Sequence, residues 1–481
     1  MNRQFLRPLL LLVMAVLLLI GIGPFIPGWD NGVLPLKKFD WRSLFSTGEA
    51  DVKIEDVQAA AESLAVNSQL LPLDAFVAKL ESGSETNLRV AYFGDSIIEG
   101  DLISGTLRQQ LQARYGGSGV GLMPITSIVN EFRKTIRHTF SRNWETVSFM
   151  SGPQSTELGI IGYTFIPRNY QLRESKIEKP ATPKDIPDQL ATELDSLGNP
   201  MPKVTEKPVE KPAARTYVSG PAWVEYSAAS VPGGSSDFRR IRLFYSKAQS
   251  SSKVMVSHDG APKQEYTLSA GDGLQVLDIS AAAPVKKVRL EFDSRDPIHV
   301  YGVSFDDYKG AYVDNLSVRG FSGMYMHRVP KGHFNVFQGA LGYDLIIMQY
   351  GENVSRPEHT NYDSYRQGMI ASVKSVQAGM PGVPVLLISA HDRSVKRGGT
   401  YQTSPDIPIL VNAQSDMAKT TGSAFWNLFE AMGGLDSMKS FVHASPPLAS
   451  KDYTHFNAAG ASKIAMMLLD VITQGSRYKQ Q

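Results

Sequence analysis

Cysteine is absent from all 481 residues, which excludes disulfides, thiolate nucleophiles and Cys-ligated zinc together. A surplus of one charge is missing too: 49 Lys and Arg stand against 47 Asp and Glu, a net of +2. That removes the electrostatic argument for a nucleic-acid partner. Long apolar runs are missing everywhere except Pro8 to Trp29, an uncharged stretch that includes Leu9 to Leu12 and Leu17 to Ile20 and follows Arg3 and Arg7. It is long enough to cross a hydrocarbon layer of about 30 Å. No small-x-small cleavage site follows it, only Gly21-Ile22-Gly23-Pro24-Phe25-Ile26-Pro27, so an uncleaved anchor is expected rather than a secretory peptide. The basic flank stays cytoplasmic and everything after Trp29 faces outward. In a bacterium with two membranes that side is the periplasm.

What remains has the composition of a globular protein, 42% hydrophobic and 20% charged, in a chain too long for one core. Helices are expected around Ile54 to Leu64 and Leu73 to Leu80. An apolar strand from Leu88 to Phe93 leads into Gly94-Asp95-Ser96, and Ile103, Leu107, Leu111 and Tyr115 recur every four residues before Gly116-Gly117 ends the helix. From 168 to 214, Lys-Pro and Glu-Lys-Pro units replace large apolar groups, a composition that cannot offset its own ordering entropy. Tyr217 to Asp306 then alternates in the manner of strands, with turn signals at the spacing of a β-sandwich. Afterwards buried-type strands return at Leu345 to Tyr350 and Val383 to Ile388, and Ile464, Met467, Leu468 and Val471 line one face of a closing helix. The expected organisation is a membrane segment (1–29), a membrane-proximal spacer (30–87), an α/β domain in two parts (88–167 and 307–475), a Pro/Lys/Glu-rich linker (168–214) and an inserted β-sandwich (215–306).

The turn at Ser96 acquires chemical meaning from a second, distant element. A serine hydroxyl is a weak nucleophile until an imidazole accepts its proton, and that imidazole needs a carboxylate to hold its tautomer. Asp452-Tyr453-Thr454-His455 supplies both groups three residues apart, just before a helix start at Asn457. A carbonyl attacked by Ser96 also needs donors for its developing negative charge. Two loops after strands can offer them: Asn315 to Gly323, where a glycine permits close backbone approach, and Gly351-Glu352-Asn353, where Asn353 can present its amide. His391-Asp392 follows a strand, but no other histidine stands at metal-ligand spacing from it, and a surface or hydrogen-bonding role is the better expectation. Trp223, Tyr226, Phe244 and Tyr245 are suited equally to stacking on sugar rings and to filling a sandwich core.

These four separated blocks, in this order, resemble the SGNH hydrolases, also called the GDSL esterase superfamily. The resemblance covers residues 88–150 and 307–475. It implies a flavodoxin-like three-layer α/β/α fold, Ser96 as nucleophile, Gly320 and Asn353 with the Ser96 amide as oxyanion-hole donors, and Asp452 and His455 as acid and base. Gly323 competes with Gly320 for the second block. The third block departs from the family's Gly-x-Asn-Asp, because Val354 follows Asn353, and Asp95 matches a structural position of the first block. Phe425 to Gly434 followed by Lys451 to His455 is similar to bacterial cell-envelope members that add or remove acetyl groups on peptidoglycan or exported polysaccharide. The implied activity is that of a serine O-acetylesterase without metal or organic cofactor. The alternatives are an O-acetyltransferase using the same residues and a non-catalytic glycan-binding scaffold. The implied partners are an acetylated glycan and a membrane-bound acetyl-transfer protein, the chain being tethered on the periplasmic side of the inner membrane.

Overall fold

The computed structural model describes residues 70–82, 87–172, 193–194, 200–201 and 215–478. The expected membrane segment, the 54–64 helix and most of the linker lie outside them. Among the described residues no helix is long and apolar enough to cross a membrane.

Five parallel strands form the central sheet, in the order Ala311–Ser317, Leu88–Gly94, Leu345–Gln349, Val385–Ile388 and Ala424–Trp426. They are almost wholly buried, as strands covered on both faces must be, which explains their continuous apolar runs. Successive side chains divide between two cores. Ala91, Phe93, Ile346, Met348 and Leu387 face one side, against Phe334 and Phe337 of the Lys331–Leu341 helix, Val373 and Val376 of Asp363–Gly379, and Leu410 and Val411 of Ile407–Thr421. Val90, Tyr92, Ile347, Leu386 and Ile388 face the other, against Ile103, Leu107 and Leu111 of Leu102–Tyr115 and Ile464, Leu468 and Val471 of Ala458–Gln474. The result is a three-layer α/β/α arrangement.

Leu73, Phe76 and Leu80 belong to this second core. Residues 70–82 were expected in a spacer, yet Asp74–Glu81 is a helix of the α/β body, and Asp74 accepts hydrogen bonds from the amide and hydroxyl of Ser476. Its apolar face decides its place, because it has no other surface on which to bury.

The β-sandwich is also larger than expected. One antiparallel sheet runs Gln264–Thr267, Lys253–His258, Lys287–Phe292, Ala222–Ala228, Ile136–Phe140; the other runs Gln275–Asp278, Arg240–Ser246, His299–Asp306, Tyr163–Pro167, Trp144–Ser148, with Gly121–Met123 also paired to His299–Asp306. Val224, Tyr226, Val254, Val256, Val288 and Leu290 of the first sheet meet Ile241, Leu243, Tyr245, Val300, Val303 and Phe305 of the second. The α/β run therefore leaves the sheet after Tyr115, and four strands between 121 and 167, expected within that domain, belong to the sandwich. Ile136–Phe140 shows why: Ile136 and His138 are buried while Arg137 and Thr139 are exposed, a period-two signal that needs a sheet face to pack on.

Arg240–Ser246 is buried on both faces. Ile241, Leu243 and Tyr245 fill the sandwich, whereas Phe244 stacks on Phe337 of the α/β body at 4.6 Å between ring centroids. Tyr226, Phe244 and Tyr245 are thus core residues, unavailable to sugars. Arg89 of the central sheet ties the two bodies together, donating to Asp314 at 3.0 Å and to Asp306 of the sandwich at 2.7 Å, while Arg242 donates to the same Asp306 at 2.6 Å.

Candidate active site

Ligands of doubly wound sheets bind beyond the carboxyl ends of the strands, and all of the candidate residues gather there. Leu88–Gly94 ends in a turn that only glycine fits: a Cβ on Gly94 would lie 2.8 Å from the Ile98 side chain and 3.1 Å from the Gln349 carbonyl oxygen. Asp95 then caps the one-turn Ser96–Glu99 helix, its Oδ1 accepting from the Ile97 amide at 3.0 Å. This leaves Ser96 half-buried at the first position of the helix.

The expected acid and base approach from the far end of the chain. Ser96 Oγ stands 3.3 Å from His455 Nε2, and His455 Nδ1 stands 2.8 Å from Asp452 Oδ2. Asp452 Oδ1 accepts from the amides of Thr454 and His455, both at 3.0 Å, which folds the four-residue loop around its carboxylate. Partial burial acts to raise the Asp452 pKa, but these amide bonds and the imidazole hold it below the ordinary value. Tyr453 in the middle of the loop takes φ +57°, a left-handed conformation, and its ring stacks on Tyr401 at 3.6 Å. Asn457 caps the following helix by accepting from the Gly460 amide, as its position in the sequence suggested. His455 and Asp452 side chains are 44% and 50% exposed, so the relay opens directly to water.

The two expected donor loops arrive beside Ser96 by strand register. Gly94 is the partner of Ser317 on one side and of Gln349 on the other, and the Val318 amide donates to Gly94 O at 3.0 Å. Asn353 Nδ2 donates to Asp95 Oδ2 at 2.6 Å and to Phe321 O at 3.2 Å. Both of its hydrogens are therefore engaged here, the second more weakly. Gly320 and Gly323 both have positive φ, +77° and +90°, but for different reasons. A Cβ on Gly323 would strike Tyr350 at 2.6 Å and Met369 at 2.7 Å, whereas one on Gly320 would meet only Met150, at 3.9 Å. Gly323 is thus a packing residue and Gly320 the glycine on an open loop. Next to Gly320, Arg319 pairs with Glu99 at 2.7 Å.

One functional-looking residue, Glu352, was given no role from the sequence, and His391 was expected only at the surface or in a hydrogen bond. His391 is buried behind the relay and the Glu352 side chain is 9% exposed, with His391 Nδ1 3.1 Å from Glu352 Oε1. Burial pushes Asp95 and Glu352 up to about 7, the neighbouring negative charges adding to it, and pushes His391 down to about 4. The available signal was positional: Glu352 and His391 each follow an apolar parallel strand by three residues. Among the described residues no group of three or more His, Asp and Glu is arranged to hold a metal ion.

No family model and no curated protein matches the chain. Among solved structures it is similar to one described as a peptidoglycan O-acetylesterase in action, at 19% identity over 83% of this chain and 95% of that one, with a TM-score of 0.59. Family two carbohydrate esterases also match, one from Cellvibrio japonicus at 9% identity over 70% of this chain and 99% of that one, TM-score 0.23. A second, from Clostridium thermocellum in complex with cellohexaose, is 8% identical over 53% of this chain and 92% of that one, TM-score 0.23. The first likeness establishes a shared fold, a parallel α/β sheet accompanied by antiparallel sheets. The other two are too loose to carry a structural argument.

Proposed function

We propose that the protein is a serine-type O-acetylesterase of the SGNH class acting on a cell-envelope or exported polysaccharide. The observation that carries this is the Ser96, His455, Asp452 relay, with contacts of 3.3 and 2.8 Å at the carboxyl edge of the sheet. Ser96 Oγ attacks the acetyl carbonyl while His455 Nε2 takes its proton, and Asp452 stabilises the imidazolium through Nδ1. The oxyanion is held by the amides of Ser96 and Gly320 and by Asn353 Nδ2, which gives up its longer bond to Phe321 O. His455 returns the proton to the departing sugar oxygen, and water then releases acetate from Ser96 by the same relay in reverse. None of these steps calls on a metal or organic cofactor.

The exposure of the relay favours hydrolysis over transfer to a second sugar, because bulk water reaches the acyl group unhindered. The fold likeness to a peptidoglycan O-acetylesterase supports peptidoglycan as the first polymer to test. An anchor at residues 1–29 on the periplasmic side of an inner membrane, beside a membrane-bound acetyl-transfer protein, is part of the same proposal. Acetate release from O-acetylated peptidoglycan tests the activity: wild type is expected to release it and Ser96→Ala not to. Equal release by both proteins would overturn the reading.

A further inference from the structure

His391 Nε2 lies 2.8 Å from the carbonyl oxygen of Thr454, the residue before His455. A carbonyl only accepts, so Nε2 carries a hydrogen. On the other side of the ring, Nδ1 faces Glu352 Oε1 at 3.1 Å, and the same oxygen accepts from the His391 amide at 3.2 Å. A single proton therefore bridges Nδ1 and Oε1. Glu352 Oε2 is buried and meets no hydrogen-bond partner among the described residues. An ionised carboxylate there is costly, so the neutral acid with a neutral imidazole is the favoured state. Glu352 also immediately precedes Asn353, whose amide is tied to Asp95.

We propose that Glu352 and His391 are positioning residues: the proton they share fixes His391 as the Nε2–H form, which clamps the Thr454 carbonyl and so sets the His455 ring against Ser96. The inference rests on the serine-hydrolase reading of the site. It reaches further, because it links the oxyanion segment to the acid-base loop through one ionisable pair. The groups facing the pair are Asp95 from the nucleophile turn, Asp392 and Arg393 beyond His391, Asp406 before the Ile407–Thr421 helix, and His455 itself. Of these, Asp95 and Asp406 raise the cost of ionising Glu352, while Arg393 and His455 lower it. With Glu352 pushed up to about 7, alkaline pH removes the bridging proton, two acceptors then face each other, and the clamp loosens.

The test compares wild type, His391→Leu and His391→Gln, each checked for folding by circular dichroism, with p-nitrophenyl acetate as substrate. His391→Leu removes the donor to Thr454 and is expected to lower kcat about 10-fold, near the worth of one hydrogen bond to the loop, with KM within 2-fold. The Gln amide nitrogen can occupy the Nε2 position, so His391→Gln should recover at least half of that loss. It should also lack the fall in kcat above about pH 7 that wild type shows. Unchanged kcat in a folded His391→Leu protein, or no recovery in His391→Gln, would overturn the clamp. Ring 15N shifts of labelled histidines, with His391 assigned from the His391→Gln spectrum, read the proton without turnover. Nε2 protonated at pH 6 agrees with the proposal, and bare Nε2 refutes it. Failure of wild type to hydrolyse the ester or to accept a fluorophosphonate on Ser96 would instead sink the hydrolase reading.

Discussion

Two sets of buried charges in this molecule are handled in opposite ways. Where the α/β body meets the sandwich, each acid has a cation: Asp306 contacts Arg89 and Arg242, and Asp314 contacts Arg89. Asp101 likewise meets Arg108 and Arg133. Burial alone would raise these acids, but the guanidinium groups hold Asp306 below its ordinary value and Asp101 at about 2. At the carboxyl edge of the sheet, Asp95 is just as buried and the Glu352 side chain is 9% exposed, and no arginine or lysine bonds to either side chain among the described contacts. Both are pushed up to about 7. Acids paired with guanidinium groups serve cohesion, whereas acids without one, pushed up toward neutrality, are the kind of group a proton-handling site requires.

The sharpest way to break this comparison is to remove the relay. Ser96→Ala and His455→Ala are each expected to lower acetate release at least ~10³-fold while leaving the melting temperature within a few degrees, because both side chains are partly exposed. Asp452→Asn should cost less than His455→Ala, since the acid only orients and stabilises the base. On the cohesive side, Arg89→Leu leaves two buried carboxylates short of a partner. It should lower stability to urea by about 3 kcal/mol or more, with the turnover of the protein that remains folded close to wild type. Asn353→Ala, measured in the same acetate assay, is expected to lower kcat about 10²-fold, the usual effect of losing one oxyanion donor.

The smallest effect concerns pH. Asp95 and Glu352 have folded pKa values raised from about 4 to about 7, so the stability they contribute is fully present below about pH 4 and is lost as pH rises through 7. Glu352→Gln should therefore flatten the fall of melting temperature between pH 5 and 8 relative to wild type. Taking the difference between the two proteins cancels the opposite trend from His138 and His299, both pushed down to about 4 by burial. An equal fall in the two proteins would show that Glu352 is ionised in the native protein across this range.

The α/β half was readable because its strands are apolar throughout and each ends in a residue with distinct chemistry. Ser96, Asn353 and His455 stood out as single letters, and the register of Gly94 with Ser317 and Gln349 brings the first two loops together without any further rule. The sandwich was read short by four strands, because Gly121–Met123 is brief and finds its partner Val303, and Phe165 its partner Val300, only far along the chain. Spacing along one segment cannot report a pairing partner more than a hundred residues away. Asp74–Glu81 was misplaced for the same reason, its anchor Ser476 lying near the other end. The contact between Glu352 and His391 was missed because a carboxyl–imidazole pair depends on two strand ends being neighbours, which is topology rather than composition.

The most direct measurement is covalent labelling by a fluorophosphonate, read by peptide mass spectrometry on the intact folded chain. A nucleophile activated through His455 predicts a single adduct on Ser96 in wild type and a loss of labelling in His455→Ala. A wild-type protein that stays unlabelled, or one that is labelled equally well without His455, would contradict it.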